Sequence, residues 1–361
     1  DAANAVIENN RARKGKTLWT DRDKGGKIHF ETSCDEREEA RFIVDTVLEG
    51  IRAGRKFSDY AVLYRMNAQS NAIENLCARS GVPYRVVGGL RFYDRREVKD
   101  VLAYLCVLCS PGDNLRLKRI VNVPKRGIGE STVENAERIA EGLGIPLFEV
   151  FQTADRYEPL RRAAQKLMAF ASMIGELTAY SGQHSLHSLL ETLLRVTGYM
   201  EALAHEENAE DRIGNVNELS SSVLRYEQEA EDASLAGFLE EIALVTDLDN
   251  YDAAQDRVVL MTLHAAKGLE FPVVFIAGMG EGIFPSGMSV LGGEAELEEE
   301  RRLAYVGITR AKEELYLTSA QSRMLHGKTL RSLPSRFARE IPPELTTGSL
   351  RLFAPAVPPP Q

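Results

Sequence analysis

Two short, uninterrupted apolar runs constrain this chain most: Val258-Val259-Leu260-Met261 and Val273-Val274-Phe275-Ile276-Ala277. Each has the length of a strand, and neither alternates with polar residues, so both faces of each strand are expected to be covered. A sheet covered on both faces by helices is a parallel α/β sheet. Polar residues enter only where the first run ends, at Thr262, His264, Lys267 and Glu270. Ligands of open parallel sheets bind beyond the carboxyl ends of the strands. These four residues are therefore expected together at a site on that edge; the bland alternative is a solvated loop.

The flanking sequence extends the pattern. Lys27–Glu31 alternates apolar and polar residues, Tyr60–Tyr64 is an apolar run, and Val82–Val87 is a further strand stopped by Gly88-Gly89. Between them lie Ala40, Ile43, Val44, Val47, Leu48 and Ile51 at helical spacing, then a helix carrying Ile73, Leu76 and Cys77. From Phe92 to about Asp256 helical periodicity takes over, with candidate helices at Arg95–Cys109, Leu115–Asn122, Ser131–Leu143, Leu160–Tyr180, Leu186–Thr197, Ile213–Glu229 and Leu235–Leu248. The simplest organisation is one parallel-sheet α/β domain, residues 1–91 and 251–345, interrupted by an all-helical inserted subdomain, residues 92–250. Residues 346–361 end Pro-rich and read as a disordered tail. A helix is predicted over Leu297–Lys312, its start lined by Glu294, Glu296, Glu298, Glu299 and Glu300, acids that suit a helix N-terminus by dipole and hydration.

No apolar stretch reaches the length of a membrane span, and no signal-peptide pattern opens the chain. Cys106 and Cys109 form a C-x-x-C inside an apolar helix, where cysteine packs as a small hydrophobe; a reduced, cytoplasmic protein fits best. The net charge of −9 is unevenly spread: Arg85 to Arg126 holds ten basic against four acidic residues, and Tyr199 to Asp256 holds two against sixteen. The first stretch can serve as a phosphate footprint, or be a merely solvated surface.

Three segments carry a family resemblance. Thr262-Leu263-His264-Ala265-Ala266-Lys267-Gly268-Leu269-Glu270-Phe271 resembles motif V of the UvrD/Rep/PcrA DNA helicases, Tyr305-Val306-Gly307-Ile308-Thr309-Arg310-Ala311 resembles their motif VI, and Tyr60–Ser70 is similar to their motif IVa. The resemblance runs to about Glu344, in family order. It implies the second RecA-like motor domain, carrying a mobile helical subdomain. No G-x-x-x-x-G-K-[ST] phosphate loop occurs: neither Gly15-Lys16-Thr17 nor Gly327-Lys328-Thr329 has the upstream glycine or follows an apolar strand. With no Asp-Glu strand end for magnesium and a first residue, Asp1, inside a helical pattern, the chain reads as the C-terminal half of a helicase. ATP and Mg2+ would then be bound mainly by the missing N-terminal motor half.

The resemblance assigns roles. Arg310 matches the arginine that reaches the γ-phosphate across the motor cleft, where a planar, permanently charged fork suits spread phosphoryl charge; otherwise it is a surface arginine paired with Glu313 or Glu314. Glu270 matches the glutamate on the sugar side of the nucleotide, or is a helix-start acid. His264 resembles a single-strand contact, or is a half-buried imidazole. Arg65 and Asn67 belong to the single-strand channel, and His326 stands where relatives carry Phe or Tyr for base stacking. Lys125-Arg126-Gly127-Ile128-Gly129 resembles the element that holds duplex DNA, or is a helix-linking turn. The implied whole is an ATP-dependent 3′–5′ DNA helicase of repair or replication, with single-stranded and duplex DNA, its own N-terminal half and repair or replication proteins as partners and no membrane role. A DNA-binding module without catalysis and half of a helicase–nuclease subunit are the rival readings.

Overall fold

The computed structural model describes residues 1–11, 19, 25–250, 256–325 and 328–348. In chain order the elements are α1 (Ala2–Ile7), β1 (Ile28–Ser33), α2 (Glu36–Arg52), β2 (Tyr60–Tyr64), α3 (Ser70–Arg79) and β3 (Tyr84–Val87). Nine α-helices follow among the described residues: α4 (Arg96–Cys109), α5 (Asn114–Ile120), α6 (Glu130–Leu143), α7 (Leu147–Gln152), α8 (Ala164–Ser181), α9 (Leu186–Thr197), α10 (Tyr199–Ala204), α11 (Ala209–Glu229) and α12 (Leu235–Asn250). The chain then forms β4 (Val258–Thr262), β5 (Phe271–Ile276), α13 (Gly287–Gly292), α14 (Glu294–Ile308), β6 (Ala311–Ala320), β7 (Ser322–Leu325), β8 (Lys328–Arg331), α15 (Arg336–Arg339) and β9 (Thr346–Gly348). Two compact units result: residues 1–92 with the described residues from Val245 onward, and residues 93–244.

The first unit is built on a seven-stranded sheet of order β3-β4-β2-β5-β6-β1-β9, parallel at every pairing. Its strands come from both sides of the helical stretch, with β2 between β4 and β5. Side-chain alternation divides the strands between two cores. Ala61, Leu63, Val259, Met261, Val274 and Ile276 face α1, α14 and α15. Tyr60, Val62, Tyr64, Leu260, Val273 and Phe275 face α2 and α3. The helix α2 owes its start to Asp35, whose carboxylate accepts from the Arg37 and Glu38 amides, and buries Ala40, Ile43, Val44 and Val47 on one stripe.

Two expectations need correcting here. The predicted Leu297–Lys312 helix ends at Ile308, and Ala311–Ala320 is a central strand, not helix. Its Leu315 and Leu317 enter one core while Tyr316 packs against the other, the period-2 division that defines a strand. The acids before it also do more than line a helix start: Glu298 and Glu300 are buried. The Glu298 carboxylate accepts from the Arg11 amide at 2.6 Å, and its carbonyl accepts from the Asn10 side chain at 3.0 Å, docking the N-terminal segment on α14. Second, Thr346–Gly348, assigned above to the tail, pair in parallel with β1; residues 349–361 lie outside the described set.

The helical unit packs around Val98, Val101, Leu105 and Leu108 of α4, Leu167, Phe170 and Ile174 of α8, and Leu189 and Leu193 of α9, all buried. Phe151 of α7 meets Phe170 edge to face at 6.2 Å.

Candidate functional site

At the carboxyl edge of the sheet, β2 and β4 finish side by side. Tyr64 is in register with Thr262, and the Leu263 amide donates to the Tyr64 carbonyl at 2.8 Å. This pairing brings Arg65 and Asn67 beside His264, which is exposed. Gln69, which sequence reasoning missed, shapes the turn. Its Oε1 accepts from the Arg65 and Met66 amides at 3.0 and 2.8 Å, and its Nε2 donates to the Ala277 carbonyl at 3.4 Å. A glutamine five residues past the start of a loop-capped strand end was the available signal. Arg65 is not a loose cation: its Nε and Nη2 donate to Glu300 Oε1 at 2.8 and 2.7 Å. His326 lies outside the described residues; the flanking β7 and β8 pair antiparallel, with Leu325 opposite Lys328.

Glu270 does not share that edge. Both β4 and β5 run parallel to β2, so the segment Leu263–Glu270 leaves the carboxyl edge and returns to the amino edge, where β5 begins at Phe271. A five-residue strand separates the two edges by roughly 16 Å. Thr262 and His264 therefore stand at one edge and Glu270 at the other, which corrects the expectation that all four polar residues share one site. Parallel connectivity forces that separation.

Arg310 is at the amino edge with Glu270. It occupies the turn between α14 and β6. Its Nη1 donates to the Leu269 carbonyl at 2.8 Å, its Nε to the Val306 carbonyl at 3.0 Å and its Nη2 to the Thr309 hydroxyl at 2.9 Å. The Phe271 amide returns a bond to the Arg310 carbonyl at 3.0 Å. The rival ion-pair reading fails, because Glu313 and Glu314 are both taken by Arg55. Arg310 is thus held by neutral acceptors, the carbonyls of Leu269 and Val306 and the Thr309 hydroxyl. Gly307 permits this arrangement: a Cβ there would sit 2.6 Å from Leu263 Cδ2 and 2.9 Å from Ile276 Cδ1, so the last turn of α14 lies directly on the β4–β5 segment.

In the helical unit, the Lys125–Gly129 loop opens α6. Gly127 has φ +68°, and its carbonyl accepts from Lys166 Nζ at 3.1 Å. Asn122 Oδ1 accepts from the Arg126 and Ile128 amides at 2.8 and 3.2 Å. Lys125 and Gly129 are exposed, but Ile128 is 1% exposed and is a core residue. Arg126 turns inward. Its Nη1 donates to the carbonyls of Ile120, Val121 and Pro124, and its Nη2 to the Tyr104 hydroxyl at 2.6 Å. Burial pushes the Tyr104 phenol up to about 12, against the lowering effect of Arg126, so it stays neutral. The basic stretch is also largely matched by acids, some local and some distant in sequence: Lys99 pairs with Asp94 and Arg116 with Asp113, while Arg96 pairs with Glu206, Lys118 with Glu137 and Arg119 with Asp100. Among the described residues Lys125 and Lys166 enter no ion pair, and Lys166 carried no signal in the sequence pattern.

Among the described residues no three His, Cys, Asp or Glu are grouped to hold a metal, and no helix is long and apolar enough to cross a membrane. The family model described as UvrD-like helicase C-terminal domain matches residues 1–322. The chain is 45% identical over 353 residues to the ATP-dependent DNA helicase PcrA of Bacillus subtilis (strain 168), covering 95% of this chain and 48% of that protein. It is 42% identical over 350 residues to the protein of the same name from Staphylococcus aureus (strain MRSA252), covering 96% and 48%. The chain spans about half the length of the curated relatives it matches.

Proposed function

The chain belongs to the UvrD-like helicase C-terminal domain family, and from that premise we propose that it is the second motor half of an ATP-dependent 3′–5′ DNA helicase acting in repair or replication in the cytoplasm. One observation carries the reading: a single sheet presents Arg310 and Glu270 at its amino edge and Arg65, Asn67 and His264 at its carboxyl edge. Arg310 supplies positive charge to the γ-phosphoryl group, and Glu270 accepts from ribose hydroxyls. Supplying that arginine from a second motor domain makes hydrolysis depend on closure. Magnesium and the phosphate chain are held mainly by the other half, where the phosphate loop that this sequence lacks would stand. Arg65, Asn67 and His264 line a path for single-stranded DNA; His326, outside the described residues, is assigned to it by sequence resemblance alone. The helical subdomain holds duplex through Lys125 and the backbone of Gly127 and Gly129. Leu263–Glu270 joins the two edges and gives a direct route for coupling.

The test uses the full-length helicase. Arg310→Ala is expected to lower turnover by roughly 10³-fold with single-strand affinity retained, and Arg310→Lys to rescue poorly because the fork is lost. His264→Ala is expected to raise the DNA concentration needed for stimulation with the KM for ATP unchanged. The reverse pattern, or an Arg310→Ala loss under about tenfold, would reject the edge assignment.

A further inference from the structure

Glu300 is a carboxylate that no part of the reaction so far uses. It lies in the middle of α14, and its side chain is 3% exposed. Charged groups are not buried without partners, and Glu300 has three. Its Oε1 takes the Arg65 fork through Nε and Nη2 and accepts from the Ser289 hydroxyl at 3.2 Å. Its Oε2 accepts from the Ser286 amide at 3.3 Å. Ser286 and Ser289 form the start of α13, so one carboxylate ties β2, α13 and α14 together at the carboxyl edge.

The same helix ends at the other edge. From Glu300 to Ile308 is about 12 Å of α-helix, and Arg310 follows one turn residue later, bonded back to Val306 on that helix. Helix α14 is therefore a rod with Arg65 fastened to its middle and Arg310 at its tip, seated on the sheet through Gly307. Arg65 is 23% exposed, and its Nη1 takes no partner among the described residues. A DNA phosphate that engages Arg65 thus competes with Glu300 for the same guanidinium and pulls on α14.

We propose that Glu300 is a positioning residue: through its two-point clamp on Arg65 it transmits occupancy of the single-strand path to the helix that carries Arg310. The inference rests on the helicase reading and adds a second coupling route beside Leu263–Glu270. It also implies that the carboxylate holds single-strand affinity down, since it neutralises an arginine facing the DNA.

The experiment measures ATP turnover of the full-length helicase with and without saturating single-stranded oligonucleotide, and oligonucleotide affinity across a salt series. Glu300→Gln keeps the shape and removes the charge. It is expected to lower the ratio of DNA-stimulated to basal kcat by about fivefold or more, the lower end of coupling between linked sites. The KM for ATP should stay put. Single-strand affinity should rise, and the plot of log affinity against log salt should steepen by about one unit as Arg65 gains a phosphate. A fold made only for stability would show none of these opposite movements. Arg65→Lys leaves Glu300 paired with a cation and removes only the fork; it must lower the same ratio, and it decides the matter if Glu300→Gln does not fold. An unchanged ratio in either folded variant overturns the proposal. A wild-type protein with no DNA-stimulated turnover overturns the helicase reading itself, a distinct result.

Discussion

Gly307 offers a sharp test of how the fold sets the nucleotide edge. A methyl group there would stand 2.6 Å from Leu263 Cδ2 and 2.9 Å from Ile276 Cδ1, whereas carbon atoms pack at about 3.5–4.0 Å. Leu263 and Ile276 are fully buried, so the missing ångström comes from lifting α14. Overpacking of this size costs about 1–3 kcal/mol, and alanine in place of glycine returns about 1 kcal/mol of helix propensity. Gly307→Ala should therefore be destabilised by about 1 kcal/mol net, and Gly307→Val, which adds two further carbons and forfeits the propensity gain, by about 3 kcal/mol or more. For a unit of this size those figures correspond to about 2–4 °C and at least 6 °C in Tm. Function should suffer more than stability. A lift of about 1 Å takes Arg310 Nη1 from 2.8 Å to beyond hydrogen-bond range of the Leu269 carbonyl, and a misplacement of that size costs about 10²-fold in rate. Thermal melts of the 361-residue chain and single-turnover ATP hydrolysis by the full-length protein measure both. A Gly307→Ala variant that melts higher than wild type and hydrolyses ATP normally would refute the claim that close approach at Gly307 sets the arginine.

Two further outcomes separate Lys166, which is exposed beside Gly127, from Arg126, which turns inward. Lys166→Ala should leave Tm within about 1 °C of wild type, as surface substitutions usually do, and flatten the salt dependence of duplex binding by about one unit. Arg126→Ala should instead cost about 1–3 kcal/mol of stability by stranding the acceptors it serves, with a salt slope like wild type once folded; equal slopes for both variants would remove Lys166 from the duplex surface. Replacing residues 93–244 by a short Gly/Ser linker in the full-length protein should preserve DNA-stimulated ATPase and change strand separation, read by paired assays with circular dichroism as the folding control. Loss of ATPase in the folded deletion would place the helical unit inside the motor.

What the sequence disclosed, and what it withheld, follows from the range of the interactions. β4 and β5 were legible because burial on both faces leaves an uninterrupted apolar run, and α2 because its stripe keeps the helical period. β6 was not, because Lys312 and Glu313, which follow its first residue, are exposed and mimic a charged helix end. Glu300 looked like one of five helix-start acids; its partner Arg65 is 235 residues away, and only folding distinguishes it from Glu299. Arg126 looked like a phosphate ligand because carbonyl acceptors leave no mark in a sequence. The placement of Glu270 differs in kind: it was deducible. Two parallel strands joined in sequence must be linked by a segment that travels back along the sheet, so residues at the two ends of that segment face opposite edges whatever their side chains. The expectation of a shared carboxyl edge fits the placement of Thr262 and His264 and fails for Glu270, because topology, acting over eight residues, outranks it. Here β4, the Leu263–Glu270 segment and α14 all span the interval between the two edges, and Gly307 presses two of them together.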